Sequence, residues 1–392
     1  MKAILGGRLI VPDTDGNFCE ISGHALLYEK KIARIVPEAE LSVDERADFE
    51  ALIDAGGDYV APGFVNVHIH GAMGYDAMDD DGDAVPAMAR HQASTGVTSF
   101  LPTTMTCPMQ KIYRALSRIR DAMGADTGGA RVLGAHMEGP FISVKACGAQ
   151  DAAHILPADF SLVAPFRDVV KLITVAPEAT PDDVFFVRAC RENGVVVSVG
   201  HSAADYDAAL RFFTKEGIGH VTHLFNGMPA FHHRTPGLVG AALESDADCE
   251  LIADNIHSHP TAHRLAWSMK RGKHIVLVTD SMRATGLGDG ESELGGQKVF
   301  VKDGEARLAD GALAGSVLTM DRAVANFAKN TACGIPAAMA CATKNAAESI
   351  GVYDTVGSLS PGKIADIVIF EDEVQIKKTI VKGKIVFDRG KS

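Results

Sequence analysis

Residues 64–70 read "FVNVHIH", an apolar, β-branched run that closes on two histidines. Seven further runs of the same kind follow: "VTSFLPTT" (97–104), "RVLGAHME" (131–138), "VKLITVAPE" (170–178), "GVVVSVGH" (194–201), "GHVTHLF" (219–225), "CELIAD" (249–254) and "HIVLVTD" (274–280). Helix-like stretches rich in alanine and charged residues separate them. Apolar strands alternating with helices imply a parallel sheet covered on its outer side, and eight such units over about 220 residues predict an α/β fold, a closed (β/α)8 TIM-like barrel. An open doubly wound sheet is the alternative, but no G-x-G-x-x-G follows the first strand.

Outside these units, residues 1–60 and 355–392 read as short strands joined by turns. Neither end carries enough apolar surface to stand alone, so the two are expected to pair as a small β-sandwich domain beside a catalytic barrel spanning 61–354. Between the fifth and sixth strands, "SAADYDAALRFFTKEG" begins with Ser202 and has Asp205 three residues on. That spacing predicts a capping-box-like start at Ser202 and a helix ending before Gly217. "LTMDRAVANFAKNTA" and "PAAMACATKNAAESIG" are expected to close the barrel as helices.

With 392 residues, 46% of them hydrophobic, the chain can bury a large core without disulfides. Fifty acidic against thirty-eight basic residues give a formal charge of −12, and no Lys/Arg cluster offers a nucleic-acid surface. The N-terminal "MKAILGGRLIVPDTDG" lacks the sustained apolar stretch of a signal peptide, and no segment has the length of uncharged sequence that a membrane span needs. Seven scattered cysteines, never in a C-x-x-C pair, fit reduced thiols, and the protein is expected to be cytoplasmic.

Catalytic residues of a (β/α) barrel lie at the carboxyl ends of its strands. Here those positions hold His68, His70, Glu138, His201, His223 and Asp280. His68 and His70, at i and i+2, project from one face of a strand. A lone H-x-H arises by chance, but imidazoles and a carboxylate recurring at the same end of other strands suit Zn2+, Fe2+, Mn2+ or Co2+. Asp280 ends an apolar strand where an ionised carboxylate is costly unless paired or catalytic; taken alone it would be a helix cap, but beside metal ligands it is placed as a general base for a hydrolytic water. Three further stretches are expected to shape a substrate site: "HLFNGMPAFHHRTPGLVG" (223–240) with Asn226 and Arg234, "ADNIHSHP" (253–260) with Asp254 and His257, and "ALAGSVLTMD" (312–321) with Leu313, Ala314 and Gly315. His232, His233 and His259 are read as turn and packing residues.

The motifs "APGFVNVHIHG", "GAHMEGPFIS", "VGHSAADYD", "VTHLFNGMPAFHHRTPGLVG", "IADNIHSHP", "LVTDSMRATG" and "LAGSVLTMDRAV", in this order, closely resemble the N-acetylglucosamine-6-phosphate deacetylases of the amidohydrolase superfamily. The likeness continues through "VGSLSPGKIADIVIF" and "TIVKGKIVF" and so covers nearly the whole chain. It implies hydrolysis of the acetamide of N-acetyl-D-glucosamine 6-phosphate, with a metal held by Glu138, His201 and His223 and with Asp280 as acid/base. It also implies substrate contacts at Ala149, Gln150, Asn226, Gly227, Arg234, His257, Leu313, Ala314 and Gly315. One or two divalent ions per subunit are implied, Zn2+ or Fe2+ first and Mn2+ or Co2+ next, the second bound by His68 and His70 and bridged by Glu138. A homodimer is implied in which Arg234 reaches the neighbouring active site. The alternatives are another N-acetylhexosamine phosphate, such as the galactosamine epimer, and a catalytically silent sugar-phosphate binder. One position departs: "CGAQ" stands where the family usually has "KGAH", so Gln150 replaces a histidine, and a glutamine amide can donate a hydrogen bond but carries no charge.

Overall fold

The computed structural model describes residues 1–181 and 183–391. Eight parallel strands form the barrel: β1 (Phe64–Ile69), β2 (Val97–Pro102), β3 (Ala135–Glu138), β4 (Val170–Val175), β5 (Val196–Val199), β6 (His220–Val221), β7 (Asp248–Ile252) and β8 (Ile275–Val278). β3 to β8 hydrogen-bond in sequence order, and β1 pairs with β2. Parallel bridges close the ring, Thr103 to His136 between β2 and β3 and Ile69 to Ser281 between β1 and β8. Every residue of β1, β2, β3 and β8 is buried, which explains why these strands read as unbroken apolar runs rather than as alternating ones.

The outer helices present one apolar face each. In Met109–Met123 the buried positions are Ile112, Ala115, Leu116, Ile119 and Ala122, a helical repeat that packs onto the sheet. The helix after β5 corrects the expectation from sequence. It spans Tyr206–Thr214 and its cap is Asp205, whose side chain accepts from Ala208 N at 2.8 Å. Ser202 is drawn elsewhere: its Oγ donates to Glu178 at 2.7 Å, and the following N–H, of Ala203, donates to the same carboxylate at 2.6 Å. A carboxylate distant in sequence has outbid the local capping pattern. The last helical stretch is likewise divided, into Ile335–Ala342 and Lys344–Ser349, at Thr343.

Both ends of the chain build two facing sheets. One orders its strands Ile32–Pro37, His24–Tyr28, Lys2–Leu5, Ala51–Asp54; the other orders Lys384–Asp388, Ile376–Val381, Ile367–Phe370, Tyr59–Pro62, Arg8–Pro12, Phe18–Ile21. Ile4, Leu26 and Tyr28 from the first meet Leu9, Val60, Ile367 and Ile380 from the second in a core of their own. A buried Arg131–Asp366 ion pair ties this sandwich to the barrel.

Sequence reading passed over a third sheet, Gly290–Leu294, Gln297–Lys302 and Glu305–Leu308, inserted after β8. Its tight turns are Gly295–Gly296 and Asp303–Gly304, all four residues at positive φ, the conformation two-residue hairpins require.

Candidate active site

The local backbone delivers six side chains to the carboxyl end of the barrel. Glu138 is the last residue of β3, and His68 lies within β1 with His70 just beyond it. His201, His223 and Asp280 each stand two residues past their strands, with φ of 46°, 30° and 47°. Left-handed backbone is unfavourable for residues with a Cβ, and its recurrence at three strand ends marks a site held in place by its surroundings.

His201 Nδ1 lies 2.9 Å from the carbonyl oxygen of Ala146. A carbonyl can only accept, so the proton sits on Nδ1 and His201 Nε2 presents a lone pair. That lone pair meets Glu138 Oε1 at 3.2 Å and His223 Nε2 at 3.0 Å, and His223 Nε2 is 3.1 Å from the same oxygen. With His223 likewise neutral and protonated on Nδ1, three electron-rich atoms would converge on one point, where a cation would join them. Two imidazoles and a carboxylate at such spacings fit a divalent ion with bonds of about 2.0–2.2 Å.

A second group adjoins the first through Glu138. His70 Nε2 is 3.3 Å from Glu138 Oε2, His68 Nε2 is 3.4 Å from Glu138 Oε1, and the two imidazole Nε2 atoms are 3.4 Å apart. His68, His70 and Glu138 therefore also have the makings of a metal position. Asp280 Oδ1 faces both, at 3.4 Å from His68 and 3.3 Å from His70. Burial pushes the Asp280 carboxyl up, but His68 and His70 outweigh it and hold the group down at about 2, so it is ionised at neutral pH.

Above these groups lies a cavity of about 210 Å³. Its wall includes His70, Glu138, His201, His223 and Asp280, and also Ala149, Gln150, Asn226, Gly227, His257, Leu313 and Gly315. His68 is fully buried beneath it, and Ala314 is packed behind its neighbours. Arg234 is not brought in: it is exposed on the 223–240 loop, where its guanidinium meets His233 Nε2 at 2.9 Å.

Several wall residues are themselves fixed. Asp254 accepts the Nδ1–H of His257 at 2.6 Å and the backbone N–H groups of Ile256 and His257 at 2.8 Å, which sets the ring toward the cavity. Gly227, at φ 60°, could not carry a Cβ comfortably, since that atom would lie 3.1 Å from His201 Nδ1 and 3.3 Å from His223 Cε1. Gln150 donates to Glu138 Oε2 and accepts the N–H of Thr106, both at 2.6 Å.

Met105, Gly148 and Leu294 also line the cavity and were not singled out from sequence. Leu294 belongs to the inserted sheet, whose Gln297 donates to the carbonyl of Ala149 at 2.8 Å. Below the site, His136 and Glu250 were also missed, although each left a signal: His136 stands two residues before Glu138 on one strand face, and Glu250 is a carboxylate inside the apolar run "CELIAD".

A profile of the amidohydrolase family matches residues 59–386. The chain is 40% identical over 377 residues to an N-acetylglucosamine-6-phosphate deacetylase of Bacillus subtilis, covering 93% of both chains. It is 34% identical over 370 residues to an N-acetylgalactosamine-6-phosphate deacetylase of Escherichia coli, covering 93% of this chain and 95% of that one. Among solved structures, the N-acetylglucosamine-6-phosphate deacetylase of Thermotoga maritima superposes with a TM-score of 0.86 at 34% identity, over 98% of this chain and 99% of that one.

Proposed function

This chain belongs to the N-acetylglucosamine-6-phosphate deacetylases of the amidohydrolase family, and from that premise we propose that it hydrolyses the acetamide of N-acetyl-D-glucosamine 6-phosphate to D-glucosamine 6-phosphate and acetate. The observation that carries this reading is that ionised Asp280 shares one cavity wall with the Glu138–His201–His223 donor set.

Glu138, His201 and His223 would hold a divalent ion, Zn2+ or Fe2+ before Mn2+ or Co2+, which supplies Lewis acidity to the acetyl carbonyl and makes water more acidic. Asp280 takes a proton from water as the water oxygen bonds to the acetyl carbon. It then gives that proton to the amide nitrogen as the C–N bond breaks, so one carboxylate serves both steps. Gln150 keeps Glu138 oriented, and its amide is engaged there. His70, Asn226, Gly227, His257 and the 313–315 segment border the space left for the sugar.

His68 and His70 with Glu138 would hold a second ion. The phosphate falls to Arg234 of a neighbouring subunit in a homodimer; in support, Arg234 is exposed and lies outside its own chain's cavity. A phosphorylated substrate and seven cysteines without a disulfide support a cytoplasmic setting.

The Escherichia coli relative favours a second reading, the galactosamine epimer, because epimers are told apart by loop contacts. Acetate release from a panel of N-acetylhexosamine 6-phosphates, by metal-depleted protein reloaded with each ion in turn, tests both. Fastest turnover of the glucosamine compound is expected; no hydrolysis with any ion would leave only a silent binder.

A further inference from the structure

Beneath the cavity floor, Glu250 of β7 is completely buried and does not itself line the cavity. Its bonding runs through a single oxygen. Oε2 receives the Nδ1–H of His68 at 2.8 Å and the backbone N–H of His223 at 3.1 Å, whereas Oε1 has no hydrogen-bond partner and faces His220 Nε2 at 4.0 Å. A buried carboxylate is weak evidence of stabilisation, because its desolvation offsets much of what its hydrogen bonds contribute. What the carboxylate does supply is orientation. In the neutral form that binds a metal, with its one proton drawn to Nδ1, His68 presents Nε2 as a lone pair directed at the gap shared with Glu138, His70 and Asp280. The opposite tautomer would place an N–H in that gap and block it to a cation.

We propose that Glu250 is the positioning residue of the second metal position: by fixing the tautomer and raising the basicity of His68, it decides whether the His68–His70–Glu138 group holds an ion. The proposal rests on the metal-dependent reading above. Its second bond, to the N–H that precedes the His223 side chain, places the same oxygen against both metal groups, so the two are held in register by one atom.

Zn2+ titration of metal-depleted protein, with zinc counted per subunit, tests this. Glu250→Gln is the informative change, because the carbonyl of glutamine can still accept from His223 N–H while the charge on His68 is withdrawn. Two binding steps are expected for the unaltered protein. In E250Q the second should weaken about 10- to 100-fold, as for other partners that orient a metal-bound histidine, with the first unchanged. E250Q combined with His68→Ala should bind as His68→Ala alone does. Equal weakening of both steps, or two steps at unaltered affinity, would overturn the proposal. So would a single step in the unaltered protein, in which case acetate release by that one-ion enzyme would leave the deacetylase reading standing. A second measurement needs no altered Glu250: in zinc-loaded protein with 15N-labelled histidine, His68 should show a protonated Nδ1, and a protonated Nε2 would refute the assignment.

Discussion

Gln150 holds Glu138 by one end of its amide and the backbone of Thr106 by the other, with both bonds at 2.6 Å. The position where this chain departs from the family motif thus steadies Glu138, the proposed metal ligand. Truncation in Gln150→Ala leaves the buried N–H of Thr106 unpaired and takes one donor from Glu138 Oε2, and should cost about 1–3 kcal/mol. Urea unfolding of the metal-depleted protein measures this, and a change within experimental error would show the clamp to be dispensable.

Asp280→Asn removes the proton acceptor but leaves Glu138, His201 and His223 in place. Turnover should fall about 10²–10⁴-fold, the span expected for losing a general acid/base, while zinc content at the first position stays at one per subunit. Near-normal turnover would reassign the proton transfers to another group.

Chelation should abolish acetate release and also loosen the fold, because it removes the ion expected to join Glu138 Oε1, His201 Nε2 and His223 Nε2. Returning Zn2+ at 100 times its Kd should restore about 2.7 kcal/mol of stability by mass action. Melting curves with and without the ion provide the check.

Gly227→Ala should disturb the site from outside the ligand set. A left-handed conformation costs a residue with a Cβ about 1–2 kcal/mol. The new methyl would press on both imidazoles, 3.1 Å from His201 and 3.3 Å from His223. Weaker zinc binding and slower turnover are expected together; unchanged zinc affinity would mean the loop yields instead.

Arg234→Ala should raise KM about 10- to 150-fold and leave kcat nearly unchanged, as for a lost charge-assisted contact of about 1.5–3 kcal/mol. If the arginine acts across a dimer, mixing this variant with Asp280→Asn and allowing subunits to exchange should recover activity at sites with an intact Asp280 and the other subunit's Arg234. Failure to recover activity would place the arginine's role within its own chain.

How far the sequence could be read depended on the range of the interactions involved. The strands of the barrel and the gathering of polar residues at their ends were legible because both follow from position along one strand: an apolar run, then a polar residue. Ser202 was misread as a cap because Glu178, on a neighbouring loop, claims its hydroxyl, and no local pattern encodes that. Glu250 shows its purpose only beside His68, 182 residues away. The inserted sheet was different, for its signal was present: Lys298, Phe300 and Lys302 are exposed while Val299 and Val301 are buried, with Gly-Gly and Asp-Gly at the turns.

The bridge between the first and last barrel strands has a consequence for how the molecule is made. Asp280 N donates to the carbonyl of His68 at 3.0 Å, and His70 N to that of Ser281 at 2.9 Å, so the acid and both histidines sit astride the seam where the first and last barrel strands meet. A chain cut short between residues 224 and 274 keeps Glu138, His201 and His223 but has neither Asp280 nor a partner for that edge. Such fragments lack the acid and cannot hydrolyse substrate, which makes activity a property of a chain that extends through the last barrel strand.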